Sequence, residues 1–434
     1  MASIDAGLRD CPAMDGEILI AGAGIGGLTT ALSLHQAGHA VRVFESVDEL
    51  RPLGVGINLL PHAVRELEAL GLREPLEAAG IATGTLAYHS AHGALIWSEL
   101  RGVDAGYTWP QISLHRGTLQ MTLLAAAQER LGADRIHLGH HLDGYDADDE
   151  GVTARFVDRS GAALSEARGR ILVGADGIHS ALRALLYPDE GGPRWNGAVM
   201  WRGVVEGEPF LDGRTMIMAG HTRQKFVAYP IRQLDDGRQL LNFVAEIRGE
   251  RTDLTEREDW NRPGDLDEVL PAFESWDFGW LDAPGLLRRC EGVWEYPMVD
   301  RDPLPQWSFG PVTLLGDAAH PMYPIGSNGA SQAILDARAL TGCLRSHPDD
   351  PVKALLAYDE ARRPATAQIV LANRGQGPEE AMQLVHDRAP DGFDDLAEVI
   401  SDEALSEIAD RYKRIAGFAI AELNARPSLA DMDY

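Results

Sequence analysis

Short apolar runs followed by glycine or an acid recur along the chain. Residues 17–21 (EILIA) precede a glycine-rich stretch, a helix-like LTTALSLHQAG and a second run, AVRVFE, which ends in an acid. Similar runs lie at residues 170–177 (RILVGADG) and 312–317 (VTLLGD). Such runs are typical of buried strands, and the first two with the helix between them predict a βαβ unit of about thirty residues.

The middle and the end of the chain have other periodicities. Alternation in FVAYPI (226–231) and LLNFVAEI (240–247) predicts strands of a sheet with one covered face. Helical periodicity predicts helices at 330–345 and 351–374 and one final amphipathic helix at 402–424. We therefore predict a nucleotide-binding unit that is discontinuous in sequence, with a sheet domain inserted into it.

The amino-acid composition limits the classes of partner that the protein is expected to bind. Among 434 residues, 39 are Lys or Arg and 66 are Asp or Glu, a formal net charge of −27. This excess disfavours nucleic acid and anionic membrane surfaces, and an anionic ligand must be met by local cations or helix N-termini. Cys11, Cys290 and Cys343 show no CxxC spacing, and no metal site is predicted. With no apolar stretch of about 18 residues and no secretion signal, we expect a cytoplasmic protein with a disordered tail at residues 1–15.

The first glycine-rich stretch, GAGIGG, fits G-x-G-x-x-G between a strand and a helix. Gly22 permits the tight turn, Gly24 lets the backbone approach a pyrophosphate, and Gly27, after Gly26, allows close packing of helix on strand. Glu45, which ends the second run, can accept hydrogen bonds from ribose hydroxyls. The alternative is a glycine-rich turn without a ligand, but strand, helix and acid together predict a bound dinucleotide.

Two further motifs follow. In GADGIHSALR, Asp176 ends a strand, and by itself this motif is equally a turn and a helix cap. In GDAAHPMYPIGSNGASQ, Asp317 ends a strand where it can face a ribityl or ribose hydroxyl, and a glycine-rich loop leads into a helix N-terminus. Such an N-terminus can stabilise negative charge on a reduced flavin. His320 in this loop is either a base or, more commonly for such a turn, bonded to the backbone.

In this order, GAGIGG with Glu45, GADGIHSALR and GDAAHPMYPIGSNGASQA resemble the three fingerprints of the p-hydroxybenzoate-hydroxylase-like (group A) single-component flavin monooxygenases. The resemblance implies an α/β fold with an α+β insert: a Rossmann-like FAD-binding domain, an inserted β-sheet substrate domain and a C-terminal helical segment. The implied segments are 16–85, 110–194 and 296–375 for the FAD-binding domain, 86–109 and 195–295 for the sheet domain, and 376–434 for the helical segment.

The resemblance also implies a reaction. NADH or NADPH reduces non-covalent FAD, and O2 forms a C4a-hydroperoxyflavin that hydroxylates a small aromatic acid, in secondary metabolism or aromatic catabolism. Segments at 51–58, 200–204, 296–307 and 359–366 are most similar to the branch that hydroxylates methylated phenazine carboxylates with loss of CO2. The resemblance weakens at 215–250, the segment that is expected to recognise the substrate. The identity of the substrate and the loss of CO2 therefore both stay undecided.

Roles for individual residues follow from the same resemblance. The implied cofactor-binding residues are Gly22, Gly24, Gly26, Gly27, Glu45, Arg51, Gly54, Val55, Gly56, Arg116, Asp176, Asp317, Gly326, Asn328, Gly329 and Ala330. Glu45 would hold the adenosine ribose, and Arg116 would reach the phosphate and ribose side. The loop before the third-motif helix would present N–H groups to the isoalloxazine, and Gly54 to Gly56 would lie beside the ring. Arg51 would sense FAD or the coenzyme, unless it is a surface arginine.

The implied catalytic residues are Pro324, Gly326, Arg202 and Tyr229. The carbonyl of Pro324 would face the substrate. Arg202 would line the pocket and bind a substrate carboxylate, and its alternative is a salt bridge to Glu206 or Glu208. Tyr229 would line the pocket unless it belongs to the ordinary core.

Other side chains have ordinary explanations. Trp201 and Met218 would form an apolar pocket wall, although aromatic residues on alternating strands are more often plain core. His137, His140 and His141 are more typical of a loop than of a metal site, because they lack a helical i, i+4 arrangement and cysteine partners.

Two other functions are compatible with parts of the pattern. A flavin-dependent halogenase or reductase has a related fold, but the halogenase segment W-x-W-x-I-P is absent. A non-catalytic escort protein on the same fold would keep the first motif without needing the third intact. Monomer and homodimer are equally compatible with the sequence.

Overall fold

The structure is a computed structural model that describes residues 16–249 and 262–434. The tail predicted at residues 1–15 lies outside the described residues. The strands, β1 to β19, are Ile18–Ala21, Val41–Phe44, Gly56–Leu59, Ile81–Thr83, Thr85–His89, Leu95–Leu100, Gln111–His115, Ile136–His137, His141–Asp148, Gly151–Val157, Ala167–Gly169, Ile171–Gly174, Arg194–Gly207, Thr215–His221, Gln224–Gln233, Gln239–Arg248, Trp294–Asp300, Ser308–Phe309 and Val312–Leu314. The α-helices, α1 to α12, are Ile25–Gln36, Pro61–Ala69, Arg73–Ala79, Arg116–Leu131, Ala181–Leu186, Leu266–Phe273, Ala283–Arg289, Gly329–Ser346, Pro351–Arg374, Glu380–Arg388, Asp402–Ile415 and Ile420–Ala425.

A six-stranded sheet in the order β18-β19-β12-β1-β2-β8 forms the centre of the nucleotide-binding part, and its pairings are parallel except between β18 and β19. Its central strands are short and apolar because both faces of the sheet are covered. Ala21 pairs with Gly174 and with Phe44, and Gly174 pairs with Leu314. The residues that follow these strand ends, which include the three motifs and Glu45, therefore meet at one edge of the sheet.

A second sheet has seven strands in the order β17-β13-β16-β15-β14-β5-β6. Its pairings are antiparallel except between β14 and β5. One face packs on α6 and α7 through a core that includes Phe226, Phe243 and Phe273. The other face packs on α10 and α11 through residues such as Val227 and Val385. The sequence predicted one covered face, but both are covered because the C-terminal helices fold back onto the sheet.

Two three-stranded sheets, β11-β10-β9 and β3-β7-β4, complete the described part of the chain. The division into segments that the sequence suggested stays a prediction, and β5 and β17 each cross one of its boundaries. Among the described helices, none is long and apolar enough to cross a membrane.

The single final helix predicted at 402–424 is wrong. Helix α11 ends at Ile415 and α12 begins at Ile420. Gly417 between them has a φ of +75°, a conformation that ends a helix and favours glycine. Phe418 then turns into a buried cluster with Tyr107 and Tyr412.

Buried charges tie the C-terminal segment to the rest of the molecule. Lys225 on β15 contacts Glu246 on β16 at 2.7 Å and Glu379, just before α10, at 2.5 Å. All three side chains are less than 10% exposed. Near the end of the chain, Glu66 of α2 accepts a hydrogen bond from the N–H of Leu429 at 3.1 Å. The segment is therefore part of the packed fold and covers one face of the seven-stranded sheet.

Candidate flavin and substrate site

The glycine turn after β1 brings backbone atoms into close contact. Gly22 has a φ of +105°, and a Cβ there would lie 2.3 Å from the carbonyl oxygen of Ala175. A Cβ at Gly27 would lie 1.9 Å from the carbonyl oxygen of Gly22, so α1 can pack on the turn only without a side chain there. At Gly24, a Cβ would meet no atom of the described residues within 4 Å. Helix α1 begins here without a side-chain cap, which leaves its first N–H groups to a ligand.

Glu45 lies beside this turn at the end of β2. Its half-buried carboxylate accepts hydrogen bonds from the N–H groups of Ala23 at 2.8 Å and Val47 at 3.0 Å. Gly26 faces the protein instead, since a Cβ there would lie 2.9 Å from Leu315. A carboxylate held in this way has acceptor positions left for ribose hydroxyls.

Asp176 in the second motif is only partly used by the fold. One oxygen, Oδ2, accepts a hydrogen bond from the N–H of Ala181 at 2.7 Å, and Ser180 caps α5 through the N–H of Arg183 at 2.9 Å. The other oxygen, Oδ1, is buried and has no partner in residues 16–249 and 262–434. Burial raises the pKa of Asp176. The turn-and-cap alternative is therefore correct for Ser180 and for one oxygen of Asp176, and it leaves the second oxygen unexplained.

Arg183, at the end of the second motif, connects it to the third. Its guanidinium is buried and donates hydrogen bonds to the carbonyl oxygens of Ala318 and Ala319, both at 3.0 Å. It also forms an ion pair with Glu190. These bonds fix the turn that carries Asp317. Sequence reasoning gave Arg183 no role, because an arginine in a short helix carries no sign of which carbonyls it will meet.

Asp317 and Arg116 lie close together on an open cleft. Both side chains are exposed, and no described residue forms a hydrogen bond or ion pair with the carboxylate of Asp317. Desolvation by the surrounding protein raises the pKa of Asp317, and the charges of His320 and Arg116 oppose this shift. A Cβ at Gly54, which has a φ of +105°, would lie 3.8 Å from Nη1 of Arg116. The backbone N–H of Arg116 donates to the carbonyl of Val55 at 2.9 Å, so the Gly54 to Gly56 loop and the arginine are held together.

The loop before α8 has an unusual backbone. Gly326 has a φ of +68°, and Ser327 has a φ of +57°, which is uncommon for a residue with a side chain. The 18-residue helix α8 begins at Gly329 without a side-chain cap, and a Cβ at Gly329 would meet no described atom within 4 Å. Pro324 is exposed at the start of this loop, and Ala330 is half-buried in the first turn of α8. The helix therefore presents free N–H groups and the positive end of its dipole to the cleft.

Tyr412 of α11 supports this loop from behind. Its buried hydroxyl lies 2.9 Å from Nδ2 of Asn328, 2.9 Å from Oδ1 of Asn373 and 3.1 Å from the carbonyl oxygen of Ile325. A Cβ at Gly326 would lie 2.1 Å from the same hydroxyl, so the loop needs glycine there. Burial raises the pKa of Tyr412. Sequence reasoning missed Tyr412, since its place on the apolar face of α11 signals burial but not its partners.

His320 takes part in neither of the roles considered for it. Its Nε2 lies 2.5 Å from Oδ2 of Asp336, a fully buried carboxylate that also accepts from Nε of Arg362 at 2.7 Å. The N–H of Gly316 donates to the same carboxylate at 3.1 Å. His320 is thus a buried partner of a carboxylate, and this network holds the third motif on α8.

Arg202 joins the seven-stranded sheet to the Gly54 to Gly56 loop. Its Nη2 donates to the carbonyl of Gly56 at 2.9 Å, and its guanidinium lies 5.6 Å from the ring centroid of Tyr296. Asn242 accepts from the N–H of Gly56 at 2.7 Å. Burial raises the pKa of Tyr229, whose hydroxyl also interacts with Arg202 and Asn242. Two polar side chains of the sheet, Arg202 and Asn242, therefore bind the carbonyl and the N–H of Gly56.

Two alternatives from the sequence are wrong. The salt bridge from Arg202 to Glu206 or Glu208 does not form among the described residues, and Glu206 pairs with Arg238 at 2.9 Å. Trp201 is not a pocket wall, because it points to the opposite face of β13 and packs in the core with α6 and α7.

Two side chains lie away from the cleft. Arg51 is 66% exposed and pairs with Glu49 at 2.6 Å, so its position favours the surface alternative. His137 stacks on Phe44 with 4.8 Å between ring centroids.

A small, partly enclosed cavity lies between the seven-stranded sheet, the loop before α8 and the C-terminal segment. Its lining residues are Leu60, Leu86, Tyr88, Arg101, Gln111, Met216, Met218, Gly326, Ser327, Pro378, Tyr412 and Phe418. Its free volume, about 20 Å³, has room for a water molecule and not for an aromatic ring. Tyr229 is not among the lining residues, but it belongs to the same buried cluster as Met216 and Met218.

The arrangement fits FAD on several observations. The backbone at Gly24 and Gly329 faces open space at the starts of two uncapped helices. Asp317 has no partner in the described chain, and one oxygen of Asp176 is buried without one. Free N–H groups, unpaired carboxylates and bare backbone are the groups that phosphates, ribityl hydroxyls and a flavin ring require.

Comparisons with known proteins agree with this reading. The model of the family described as "FAD binding domain" matches residues 15–262 and 288–373. The phenazine 1,6-dicarboxylic acid hydroxylase of Lysobacter antibioticus is 50% identical over 369 residues, which cover 84% of this chain and 90% of that protein. The 3-hydroxybenzoate 6-hydroxylase of Polaromonas naphthalenivorans (strain CJ2) is 32% identical, with coverage of 85% and 89%. A solved salicylate hydroxylase substrate complex is 25% identical, with a TM-score of 0.72 and coverage of 96% and 100%.

Proposed function

Since the chain belongs to the FAD-dependent aromatic hydroxylases, we propose that its substrate is a planar phenazine carboxylate and that NADH or NADPH reduces its flavin. The fold class, the FAD cofactor and the enzyme class predicted from the sequence are confirmed, and the halogenase, reductase and escort-protein alternatives are set aside. The observation that carries the proposal is the similarity to a phenazine hydroxylase along 84% of the chain, and the cavity between the seven-stranded sheet and the loop before α8 is where we place the substrate. The 50% identity to a phenazine dicarboxylate hydroxylase supports the choice of ring system.

FAD, when bound, supplies the electrons and the oxygen activation for ring hydroxylation. In our proposal, Glu45 and Asp317 accept hydrogen bonds from FAD hydroxyls, and Arg116 pairs with a phosphate. The uncapped N-termini of α1 and α8 would stabilise the negative charges of the pyrophosphate and of the reduced ring. The second oxygen of Asp176 is a further acceptor at the same sheet edge.

The cavity walls suit a flat apolar ring. Leu86 on β5 and Met216 and Met218 on β14 supply apolar surface, and methionine side chains adapt easily to a bulky ligand. Tyr412 and Phe418 of the C-terminal segment close the opposite side. The apolar side chains of this wall would help to keep water from the reacting atoms. Because the free volume is about 20 Å³, substrate entry requires these side chains to move apart.

Arg202, Tyr229 and Pro324 stay proposed for the reacting end of the substrate. After Nη2 of Arg202 has bound Gly56, its Nε is buried and has no hydrogen-bond partner in the described residues. This N–H is therefore available to a polar group of the ligand. Pro324 is exposed at the loop that precedes α8, where its carbonyl can face a substrate.

Turnover with a panel of acids tests the proposal. We expect kcat/KM for phenazine-1,6-dicarboxylate and phenazine-1-carboxylate to exceed that for 3-hydroxybenzoate and salicylate by about tenfold or more, since a larger ring buries more apolar area. Mass spectrometry of the product distinguishes hydroxylation with and without loss of CO2. Preference for a benzoate, or coenzyme oxidation that yields only H2O2 with every phenazine acid, would refute the proposed substrate class.

A further inference from the structure

Three unpaired polar atoms belong to residues that line the small cavity. They are Oη of Tyr88 on β5, Nε of Arg101 just after β6, and Oε1 of Gln111 at the start of β7. Tyr88 is 1% exposed and Gln111 is 2% exposed. In folded proteins roughly 90% or more of buried polar groups have a hydrogen-bond partner. Three such atoms without a partner in the described residues, gathered on one cavity, therefore point to a polar ligand.

Charged side chains of both signs surround this cavity. Nη2 of Arg101 lies 2.8 Å from Oε1 of Glu99, and Nζ of Lys413 lies 2.7 Å from Oε2 of the same carboxylate. All three side chains are less than 20% exposed. Burial raises the pKa of Glu99, but Arg101 and Lys413 lower it by more, so this carboxylate stays charged. Asp410, 3.4 Å from Lys413, is 55% exposed, and solvent screens its charge. Two cations thus share the buried carboxylate of Glu99, and the carboxylate of Glu379, which is paired with Lys225, also acts on Tyr88.

From these observations we propose that Arg101, Tyr88 and Gln111 form a binding site for a carboxylate carried by the aromatic substrate. The inference rests on the proposed function and names the residues that would recognise the substrate in this cavity. Arg101 offers an N–H on a positively charged guanidinium, Tyr88 offers its hydroxyl, and Gln111 offers its amide, whose orientation the ligand sets. A carboxylate has about four acceptor positions, enough for all three groups.

This assignment differs from the one that the sequence suggested. Arg202 was the predicted carboxylate partner, but it binds the carbonyl of Gly56 and is not among the residues that line the cavity. Among the described residues that do line it, Arg101 is the one cation. A water molecule would satisfy some of the three polar atoms, whereas a carboxylate would also form a charge-assisted hydrogen bond with Nε of Arg101, which is stronger than a bond to water.

The test compares an acid with its neutral amide. For FAD-loaded enzyme, the change in flavin absorbance measures the affinity for phenazine-1-carboxylate and phenazine-1-carboxamide in wild type, R101M, R101K and Y88F. The exposed Arg223 gives a matched control, R223M, which removes one positive charge elsewhere. We expect R101M to lose about 10- to 100-fold in affinity for the acid and less than about threefold for the amide. Loss of one neutral hydrogen bond in Y88F should cost about 3- to 10-fold for the acid.

The possible outcomes distinguish a failure of the carboxylate site from a failure of the proposed substrate class. R101K should recover part of the acid preference, and R223M should match wild type. If R101M keeps the wild-type ratio of acid to amide affinity, or weakens both ligands equally, the carboxylate site is refuted while the proposed function stands. If R101M fails to bind FAD, the ratio of acid to amide affinity is measured in Y88F and R101K instead. A wild-type ratio in both variants then refutes the carboxylate site. If wild type binds neither phenazine, the proposed substrate class fails, and the ratio measured with 3-hydroxybenzoate and 3-hydroxybenzamide decides the carboxylate site by itself.

Discussion

Replacement of Asp317 by alanine isolates the contribution of the third motif to FAD binding. The side chain is exposed on the cleft and has no hydrogen-bond or ion-pair partner in the described residues. Its removal therefore costs the apoprotein no contact. The turn that carries it is held independently, by Arg183 at the carbonyls of Ala318 and Ala319 and by Asp336 at the N–H of Gly316.

The expected magnitude follows from this geometry. Loss of one charged hydrogen-bond acceptor to a FAD hydroxyl should cost about 1.5 to 3 kcal/mol, which raises the Kd for FAD by about 10- to 150-fold. The stability of the apoprotein should change by no more than about 0.5 kcal/mol, because an exposed side chain without partners is removed.

Titration of the apoprotein with FAD, followed by quenching of flavin fluorescence, measures the affinity, and a denaturant titration measures the stability. Asp349→Asn, at another exposed aspartate, is the matched control and should bind FAD as wild type does. Asp317→Asn should fall between wild type and Asp317→Ala, because an amide oxygen still accepts a hydrogen bond without the charge. Unchanged FAD affinity in Asp317→Ala, or a stability loss that accounts for the weaker binding, would refute this placement of Asp317.

Three further changes test other parts of the account. Gly27→Ala should destabilise the apoprotein by about 3 kcal/mol or more, because its Cβ would lie 1.9 Å from a carbonyl oxygen. Gly24→Ala should weaken FAD binding but leave the free energy of unfolding in denaturant within about 0.5 kcal/mol of wild type. Equal stability of the two variants would contradict the packing argument. Lys225→Met should cost about 3 to 5 kcal/mol at pH 8, since it leaves buried carboxylates unpaired. Burial raises the pKa of Glu379, so the loss should shrink as the pH falls and the carboxylates take up protons, and a loss that is constant with pH would count against the buried charge. Arg202→Met should raise KM by about 10- to 100-fold with flavin content intact if its free N–H meets the substrate, and unchanged kinetics would remove it from the pocket.

Local physics made much of this molecule predictable. The first motif is a strand, a turn and a helix in succession, and the positive φ of Gly22 and the close contact at Gly27 are consequences of that succession. The helix predicted at 351–374 has those bounds in the structure, because its start at an aspartate and proline and its end at a glycine are encoded locally.

Long-range contacts were not predictable in the same way. Tyr412 supports a loop more than eighty residues earlier in the chain, and Lys413 beside it shares Glu99 with Arg101. Charges on an amphipathic helix usually belong to its solvated face, so nothing local indicated that Lys413 is largely buried. For Trp201 the sequence left pocket wall and ordinary core open, and the core is correct; adjacent residues of a strand point to opposite sides, and the choice between the sides depends on what packs there. Gly417 by itself indicates the end of a helix, but the helical periodicity on both sides of it led to the prediction of one continuous helix.

Transfer of an oxygen atom tests the central claim most directly. FAD-loaded enzyme is supplied with NADH or NADPH, phenazine-1,6-dicarboxylate and ¹⁸O2, and the product is analysed by mass spectrometry. We expect one ¹⁸O atom in a new ring hydroxyl and about one coenzyme oxidised per product, because the apolar side chains around the substrate limit the access of water to the reacting atoms. Coenzyme oxidation that yields only H2O2, or a hydroxyl that carries oxygen from water, would contradict it.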